Sequence, residues 1–139
     1  YAHRENELVA LMFMDMDDFK KVNDAYGHHC GDLLLKQFGH RIKGVLRESD
    51  TVARIGGDEF AIILPRSEKI EGVIQTAEKI IEAIKHPFSL EKTTLNVAVS
   101  IGIAVFPEHG EGIDVLAQRA DTAMYAAKRS GKGYVIYGE

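Results

Sequence analysis

The stretch T-V-A-R-I-G-G-D-E-F-A-I-I-L, residues 51–64, contains two short apolar runs joined by two glycines and two acidic residues. Apolar runs of this length, separated by a glycine-containing connection, predict a β-hairpin. The two strands of a hairpin are antiparallel, so the sheet that contains them cannot be wholly parallel. This stretch therefore favours a mixed or antiparallel sheet for the whole chain.

The sequence on either side of the hairpin alternates between strand and helix patterns. Apolar residues predict a strand buried on both faces over residues 8–14, a period-two strand over 95–106 and a short strand over 134–137. Helical spacing predicts helices over residues 19–26, 32–45, 70–84 and 113–127. Small side chains on one face of the strand over residues 95–106, Gly102 among them, would let a helix approach closely. The pattern predicts an α/β (α+β) fold, with a mixed, mainly antiparallel central sheet flanked by helices.

The composition excludes several classes of protein. The 139 residues are 45% hydrophobic and 27% charged, which is typical of a single globular domain and not of a disordered chain. The net charge of -4 provides no general electrostatic footprint for nucleic acid or an anionic membrane, so we expect contact with neither. A single Cys cannot form an internal disulfide, which is compatible with a reducing compartment, and we expect a cytoplasmic location.

The N-terminal residues predict that this domain was excised from a longer protein. Residues 1–7 do not form a signal peptide and begin without an initiator Met. The longest apolar run, residues 8–14, is too short to span a membrane. We therefore expect residues 1–139 to be one domain of a parent protein that could carry a membrane anchor elsewhere.

Carboxylates follow the first predicted strand and lie on the hairpin. Asp15 directly follows the strand, with Asp17 and Asp18 close behind it, and Asp58 and Glu59 follow the two glycines of the hairpin. Carboxylates that meet in space repel one another and need a counter-cation, and hard oxygen ligands suit Mg²⁺ or Mn²⁺. The alternative is that these acids cap a helix or occupy a turn. We prefer capping for Asp17 and Asp18, and a functional site for Asp15 with Asp58.

Five motifs resemble those of the GGDEF domains, the diguanylate cyclases, in the order of that family. They are R-I-G-G-D-E-F at 54–60, D-M-D-D-F-K-K-V-N-D at 15–24, Y-G-H at 26–28 followed by G-D at 31–32, S-I-G at 100–102, and A-D-T-A-M-Y-A-A-K at 120–128. The resemblance covers residues 8–137. It implies a fold similar to the palm of adenylate cyclases and polymerases, and the condensation of two GTP into cyclic di-GMP with release of two pyrophosphates. The D-x-L-T-x-L-x-N-R segment with which the family usually opens is not found in residues 1–7.

The resemblance implies roles for individual residues at the site of reaction. The metal ligands would be Asp15, the carbonyl of Met16, Asp58 and Glu59. Asp58 would also accept the proton of the attacking hydroxyl, with Glu59 and Lys20 beside it. The triphosphate would be neutralised by Lys20, Lys128 and Lys132. For the last two lysines the alternative is a favourable cation at the C-terminus of a helix.

Two further sites are implied by the same resemblance. Guanine would be selected by Asn23 and Asp32, with His28 in the same segment, although Asp32 could equally cap a helix beside Gly31. Arg47 and Asp50 form the R-x-x-D with which the family binds its product, and the alternative is a surface ion pair at a helix end.

The reaction consumes two nucleotides whereas one domain holds one, so we expect a transient or regulated homodimer. Two other interpretations remain open at this point. One is a catalytically silent module that senses cyclic di-GMP or GTP. The other is a different palm-type nucleotidyltransferase, such as an adenylate cyclase. The presence of Asp15, Asp58 and Glu59 favours an enzyme over the silent module, and Asn23 with Asp32 favours guanine over adenine.

Overall fold

The computed structural model describes residues 7–139, and the N-terminal residues 1–6, for which no signal peptide is predicted, lie outside this range. The elements in chain order are β1 Leu8–Met16, α1 Phe19–Tyr26, α2 His28–Val45, β2 Thr51–Gly56, β3 Glu59–Ser67, α3 Ile70–Ile84, β4 Phe88–Ser89, β5 Thr94–Leu95, β6 Val99–Phe106, α4 Ile113–Ser130 and β7 Tyr134–Ile136. Among these described residues, no helix is both long and apolar enough to cross a membrane.

The central sheet has five strands in the order β2-β3-β1-β6-β7. The pairs β2–β3, β3–β1 and β1–β6 are antiparallel, and β6–β7 is parallel. The predicted mixed, mainly antiparallel sheet is therefore confirmed. β1 occupies the centre, which explains its uninterrupted apolar sequence, because side chains on both of its faces are covered.

Helices cover both faces of the sheet, and alternate residues of β1 define the two layers. Ala10, Met12, Met14 and Met16 belong to the larger core, together with apolar side chains of α2 and α3. Leu11 belongs to a second cluster, on the other face, with Leu116 and Ala120 of α4 and their neighbours. Odd-numbered positions of β1 therefore face α4, and this fixes the face on which Asp15 lies.

The contact between α4 and β6 is unusually close at Gly102. A Cβ added there would lie 2.1 Å from the carbonyl oxygen of Ala120 and 2.1 Å from the backbone nitrogen of Met124. No side chain fits between these backbones, so the predicted close helix approach on the small-residue face of this strand is confirmed.

Two predicted element boundaries are wrong. α2 begins at His28 and not at Asp32, because Gly27, at φ 91°, reverses the chain just before it. Asp32 therefore lies inside the helix and does not cap it. The predicted strand over residues 95–106 is divided, and only its part from Val99 joins the central sheet. Residues 94–95 pair instead with residues 88–89, because the backbone N–H of Leu90 bonds the carbonyl of Thr93 and closes a separate hairpin.

Arg41 of α2 contacts both the C-terminal end of α3 and the beginning of this small hairpin. Its guanidinium donates hydrogen bonds to the backbone carbonyls of Ala83, His86 and Pro87, and lies 3.5 Å from the ring centroid of Phe88. Carbonyls at the C-terminus of a helix have no partner within the helix. The planar guanidinium of Arg41 carries several N–H donors and can satisfy them together.

Candidate functional site

Three polar residues form a row across the central sheet, one on each of three neighbouring strands. Asp15 of β1 is directly opposite Glu59 of β3 on one side and Ser100 of β6 on the other. Residues directly opposite in antiparallel strands project to the same face, and here this is the face that α4 covers. The hairpin and the first strand thus bring together the acids that the sequence singles out.

Asp15 is paired with Lys128 of α4. Its side chain is 8% exposed, and its Oδ2 accepts a hydrogen bond from the Lys128 ammonium at 2.6 Å. Burial raises the pKa of Asp15, the hydrogen bond and charge of Lys128 oppose this rise, and the charges of Asp58 and Asp17 add to it. The pKa of Lys128 is raised in turn, mainly by its hydrogen bond to Asp15. The second oxygen of Asp15, Oδ1, is buried and has no hydrogen-bond partner.

Glu59 shares this acidic environment. Its pKa is raised first by burial and then by the charges of Asp121, Asp15 and Asp58. Asp58 occupies the hairpin turn between β2 and β3, where Gly57 adopts φ 46° and its carbonyl accepts a hydrogen bond from Arg54 Nε at 2.7 Å. Of the two hairpin glycines, only Gly57 therefore uses the positive φ that the sequence allowed for both.

The donor set fits a hard divalent cation. Asp15 has a buried, unpartnered oxygen, and like charges surround it, so a cation there would relieve both costs. Within residues 7–139, no group of three or more His, Cys, Asp or Glu side chains is arranged to hold a metal ion by itself. Mg²⁺ is commonly bound through one or two carboxylates together with water and substrate phosphates, so an incomplete protein cage is expected for it. Met16 ends β1 with its side chain buried, which leaves its backbone as the part able to contribute.

Next to Asp15 lies a hydrogen bond that the sequence did not reveal. Ser100 donates a hydrogen bond to the Asp17 carboxylate at 2.9 Å, across 83 residues of sequence. The predicted capping role is wrong for Asp17, and Asp18 fulfils it by position only. The Asp17 carboxylate is held by Ser100, while Asp18 occupies the N-cap position of α1, at φ 60°, without a side-chain cap hydrogen bond.

Lysines line a cavity of about 330 Å³ beside this row. Lys128 and Lys132, both proposed from the sequence, contribute to its wall, and so does Lys85, which the sequence did not single out. Asp17 and Ser100 belong to the same wall, so the cavity adjoins the acidic site. Lys20 is exposed on α1 and does not line this cavity. The structure thus groups two of the three predicted phosphate-binding lysines.

The predicted guanine-binding residues do not line one common cleft. Asp32 is exposed on α2 and lines a cleft of about 1180 Å³ between α2 and β2. Asn23 lies over Gly31, where an added Cβ would come within 1.9 Å of its Oδ1, and this oxygen is buried without a partner. His28 is the exposed first residue of α2, and neither it nor Asn23 lines the cleft.

Arg47 and Asp50 form the ion pair of the alternative interpretation, with Arg47 Nε 3.6 Å from Asp50 Oδ2, but only the arginine is exposed. The Asp50 side chain is 3% exposed, and its Oδ2 accepts a hydrogen bond from the backbone N–H of Arg47 at 2.9 Å. The Arg47 guanidinium donates to the carbonyl of Arg66 at 2.7 Å. All three residues line a cavity of about 570 Å³, and Asp50 Oδ1 is buried without a partner.

Comparisons with known proteins agree with this architecture. The family model described as "Diguanylate cyclase, GGDEF domain" matches residues 1–134. The bifunctional diguanylate cyclase/cyclic di-GMP phosphodiesterase MucR of Pseudomonas aeruginosa is 42% identical over 98% of this chain, which covers 20% of MucR. The chain therefore spans about a fifth of this curated relative.

Solved structures show the same fold. The GGDEF domain of TpbB from Pseudomonas aeruginosa superposes with a TM-score of 0.93 at 40% identity, covering 97% of this chain and 85% of that one. The GGDEF domain of DgcB from Caulobacter crescentus, in complex with c-di-GMP, superposes with a TM-score of 0.86 at 31% identity, covering 96% and 80%. GGDEF domains have the palm-like fold, so the predicted fold class is confirmed. By sequence and by structure, this chain belongs to the GGDEF family of diguanylate cyclase domains.

Proposed function

We propose that this domain condenses two GTP molecules into cyclic di-GMP and releases two pyrophosphates. The observation that carries the proposal is the position of Asp15, which lies opposite Glu59, keeps one buried oxygen without a partner, and adjoins a lysine-lined cavity. An acidic pair beside a cluster of lysines is suited to phosphoryl transfer, where positioning and charge neutralisation supply most of the rate. The family supports the same enzyme class, a nucleotidyltransferase of the diguanylate cyclase type.

The carboxylates of Asp15, Asp58 and Glu59, which we call the acidic row, have separate roles. Asp15, the carbonyl of Met16, Asp58 and Glu59 would hold Mg²⁺ or Mn²⁺, which supplies Lewis-acid charge neutralisation at the phosphates. Asp58, on the turn, accepts the proton of the attacking 3′-hydroxyl at its carboxylate.

The lysines neutralise the negative charge of the triphosphate. Lys128 and Lys132 face it from the cavity, and Lys20 approaches from the exposed side of α1. Each ammonium offsets part of the negative charge that the acidic row would otherwise repel.

Guanine recognition is assigned to Asp32, Asn23 and His28. A carboxylate on the cleft between α2 and β2 accepts hydrogen bonds from the N1–H and N2 amino group of guanine. Adenine has no donor at either position, so it would leave Asp32 without those bonds. Asn23 and His28 lie outside the lining of this cleft, on the adjoining helices α1 and α2.

Product inhibition is assigned to the cavity of Arg47 and Asp50. The unpartnered, buried Oδ1 of Asp50 is an acceptor for the donors of a guanine base, and the exposed guanidinium of Arg47 can pair with base or phosphate. DgcB, a relative of known structure, was solved in complex with c-di-GMP, which supports a product-binding surface in this family.

The active assembly is a transient homodimer. Each domain presents one acidic row, and ring closure requires each 3′-hydroxyl to reach the α-phosphate of the other nucleotide. Two copies must therefore face each other across a two-fold axis. We place the reaction in the cytoplasm, where GTP is supplied.

The test is incubation of the purified domain with GTP and Mg²⁺, with products separated by mass spectrometry. Cyclic di-GMP should form with Mg²⁺, should be absent in excess EDTA, and should fall by at least about 100-fold in Asp58→Asn. Asp114→Asn, which neutralises an exposed carboxylate in the first turn of α4, is the matched control and should retain wild-type activity. Undiminished product in Asp58→Asn would sink the assignment, and a protein that binds cyclic di-GMP without making it would be a sensor.

A further inference from the structure

The starting observation is the partner of Asp15 in this structure. Lys128 Nζ lies 2.6 Å from Asp15 Oδ2, and the contact joins residues 113 positions apart, so it depends on the docking of α4 against β1. Among the described residues, Lys128 supplies the charge that favours the ionised form of Asp15, while Asp58 and Asp17 disfavour it. The ammonium thus binds Oδ2 of Asp15, an oxygen of the carboxylate that the proposed divalent cation would need as a ligand.

An ammonium and a divalent cation cannot share this carboxylate without cost. Oδ2 is already bound to Lys128, and a second cation beside it would be repelled by the ammonium. Oδ1 of Asp15 remains free, but a cation bound there would lie close to the Lys128 ammonium and be repelled by it, so the cation binds Asp15 without this cost only after Lys128 withdraws.

Lys128 has both the freedom and a place to withdraw. Its side chain is 41% exposed, and its flexible four-carbon stem lets the ammonium move without movement of α4. The same residue lines the cavity of about 330 Å³ that Lys132 and Lys85 also line. A polyphosphate in that cavity would offer Lys128 a new anionic partner.

We propose that Lys128 is an exchangeable counter-ion, bound to Asp15 in the empty domain and transferred to the polyphosphate when a divalent cation takes its place. The inference rests on the proposed function, because it needs a nucleotide and a metal at this site. It extends that function by making Lys128 a barrier to metal binding before the nucleotide arrives. Metal and nucleotide then bind with positive coupling, because each removes an obstacle to the other.

The test measures Mn²⁺ binding to the nucleotide-free domain by electron paramagnetic resonance, in wild type, Lys128→Met and Lys132→Met. Lys128→Met should bind Mn²⁺ on the order of tenfold more tightly than wild type, which is within the usual range of coupling between sites. Lys132→Met removes the same charge from the same cavity but does not contact Asp15 in this structure, so its affinity should change far less. Equal affinities in all three proteins, tighter binding to the same extent in both variants, or weaker binding in Lys128→Met would each overturn the proposal.

A second measurement is made on the wild-type protein and uses variants only to assign signals. Lysines are ¹³C-dimethylated, and the Lys128 and Lys132 signals are assigned by their loss in Lys128→Arg and Lys132→Arg. Addition of Mg²⁺ without nucleotide should shift the Lys128 signal and leave that of Lys132 in place. A Lys128 signal unmoved at saturating Mg²⁺ would overturn the proposal. Neither readout requires turnover, so an inactive domain could still support the exchange, and an active one could still contradict it.

Discussion

Substitution of Gly102 by Ala tests how strictly the α4–β6 contact determines both stability and the site. The added Cβ would lie 2.1 Å from two backbone atoms of α4, and neither can rotate away as a side chain could. Ordinary contact begins at about 3.4 Å, so the helix has to retreat from 2.1 Å to that distance, by about 1.3 Å.

The loss of unfolding free energy caused by this displacement can be estimated. Inserting one methyl group into a packed core costs about 1–3 kcal/mol, and the upper part of this range applies because the obstruction is backbone. At a urea m-value of about 2 kcal/mol/M, a loss of about 2–3 kcal/mol lowers the unfolding midpoint by about 1–1.5 M. Since α4 also carries Lys128 one turn beyond Met124, the same shift misplaces a group of the site, and a misplacement of about 1 Å costs about 100-fold in activity.

The assay is urea unfolding followed by circular dichroism, together with cyclic di-GMP formation measured well below the unfolding midpoint. Gly44→Ala is the matched control, because a Cβ there, in the last turn of α2, meets nothing within 4 Å. This control should be neutral or more stable by up to about 1 kcal/mol. A Gly102→Ala protein with wild-type unfolding free energy would refute the steric reasoning.

Four further experiments test other parts of the molecule. Arg41→Met removes three hydrogen bonds and the stacking on Phe88 and should lower the unfolding free energy by about 2 kcal/mol in urea titrations; no loss would show that the hairpin holds without it. Asp32→Ala should reduce the preference for GTP over ATP by at least about tenfold, since a charge-assisted hydrogen bond contributes about 1.5–3 kcal/mol; an unchanged ratio of the two rates would leave Asp32 as an ordinary helix residue. Arg47→Ala should weaken cyclic di-GMP binding by at least about tenfold in calorimetry, and equal affinity would remove the product-binding role. Wild-type activity per molecule should fall on dilution into the range where light scattering shows monomers, and constant activity there would exclude a two-domain mechanism.

The sequence predicted those parts of the fold that have a local signal. The central position of β1 follows from its apolar run, and the close approach of α4 follows from the small residues around Gly102. The predicted start of α2 at residue 32 is wrong because glycine is a poor helix former, and Gly31 nevertheless lies inside the helix. The hairpin of β4 and β5 was missed because strands of two residues have no periodicity to detect.

The contacts of the site depend on long-range packing and leave no such signal. Asp15 with Lys128 and Asp17 with Ser100 join residues 113 and 83 positions apart, so no local pattern pairs them. Resemblance to the family pointed to the acids and to Lys128, but not to the ion pair between them. Lys85 joins the cavity only because α3 ends beside β6, which the sequence could not indicate.

The central place of β1 also sets the order in which the chain can acquire structure. β1 is the first strand of the described chain to leave the ribosome, yet its partners are β3, about 45 to 60 residues later, and β6, about 85 to 100 residues later. Pairings of such high contact order close slowly, because the intervening loop entropy is lost before the contacts form. During synthesis, β1 therefore stays incompletely covered until the last third of the domain, which contains β6, has been made. We therefore expect truncations that end before β6 to aggregate rather than fold, because their central strand keeps an open edge.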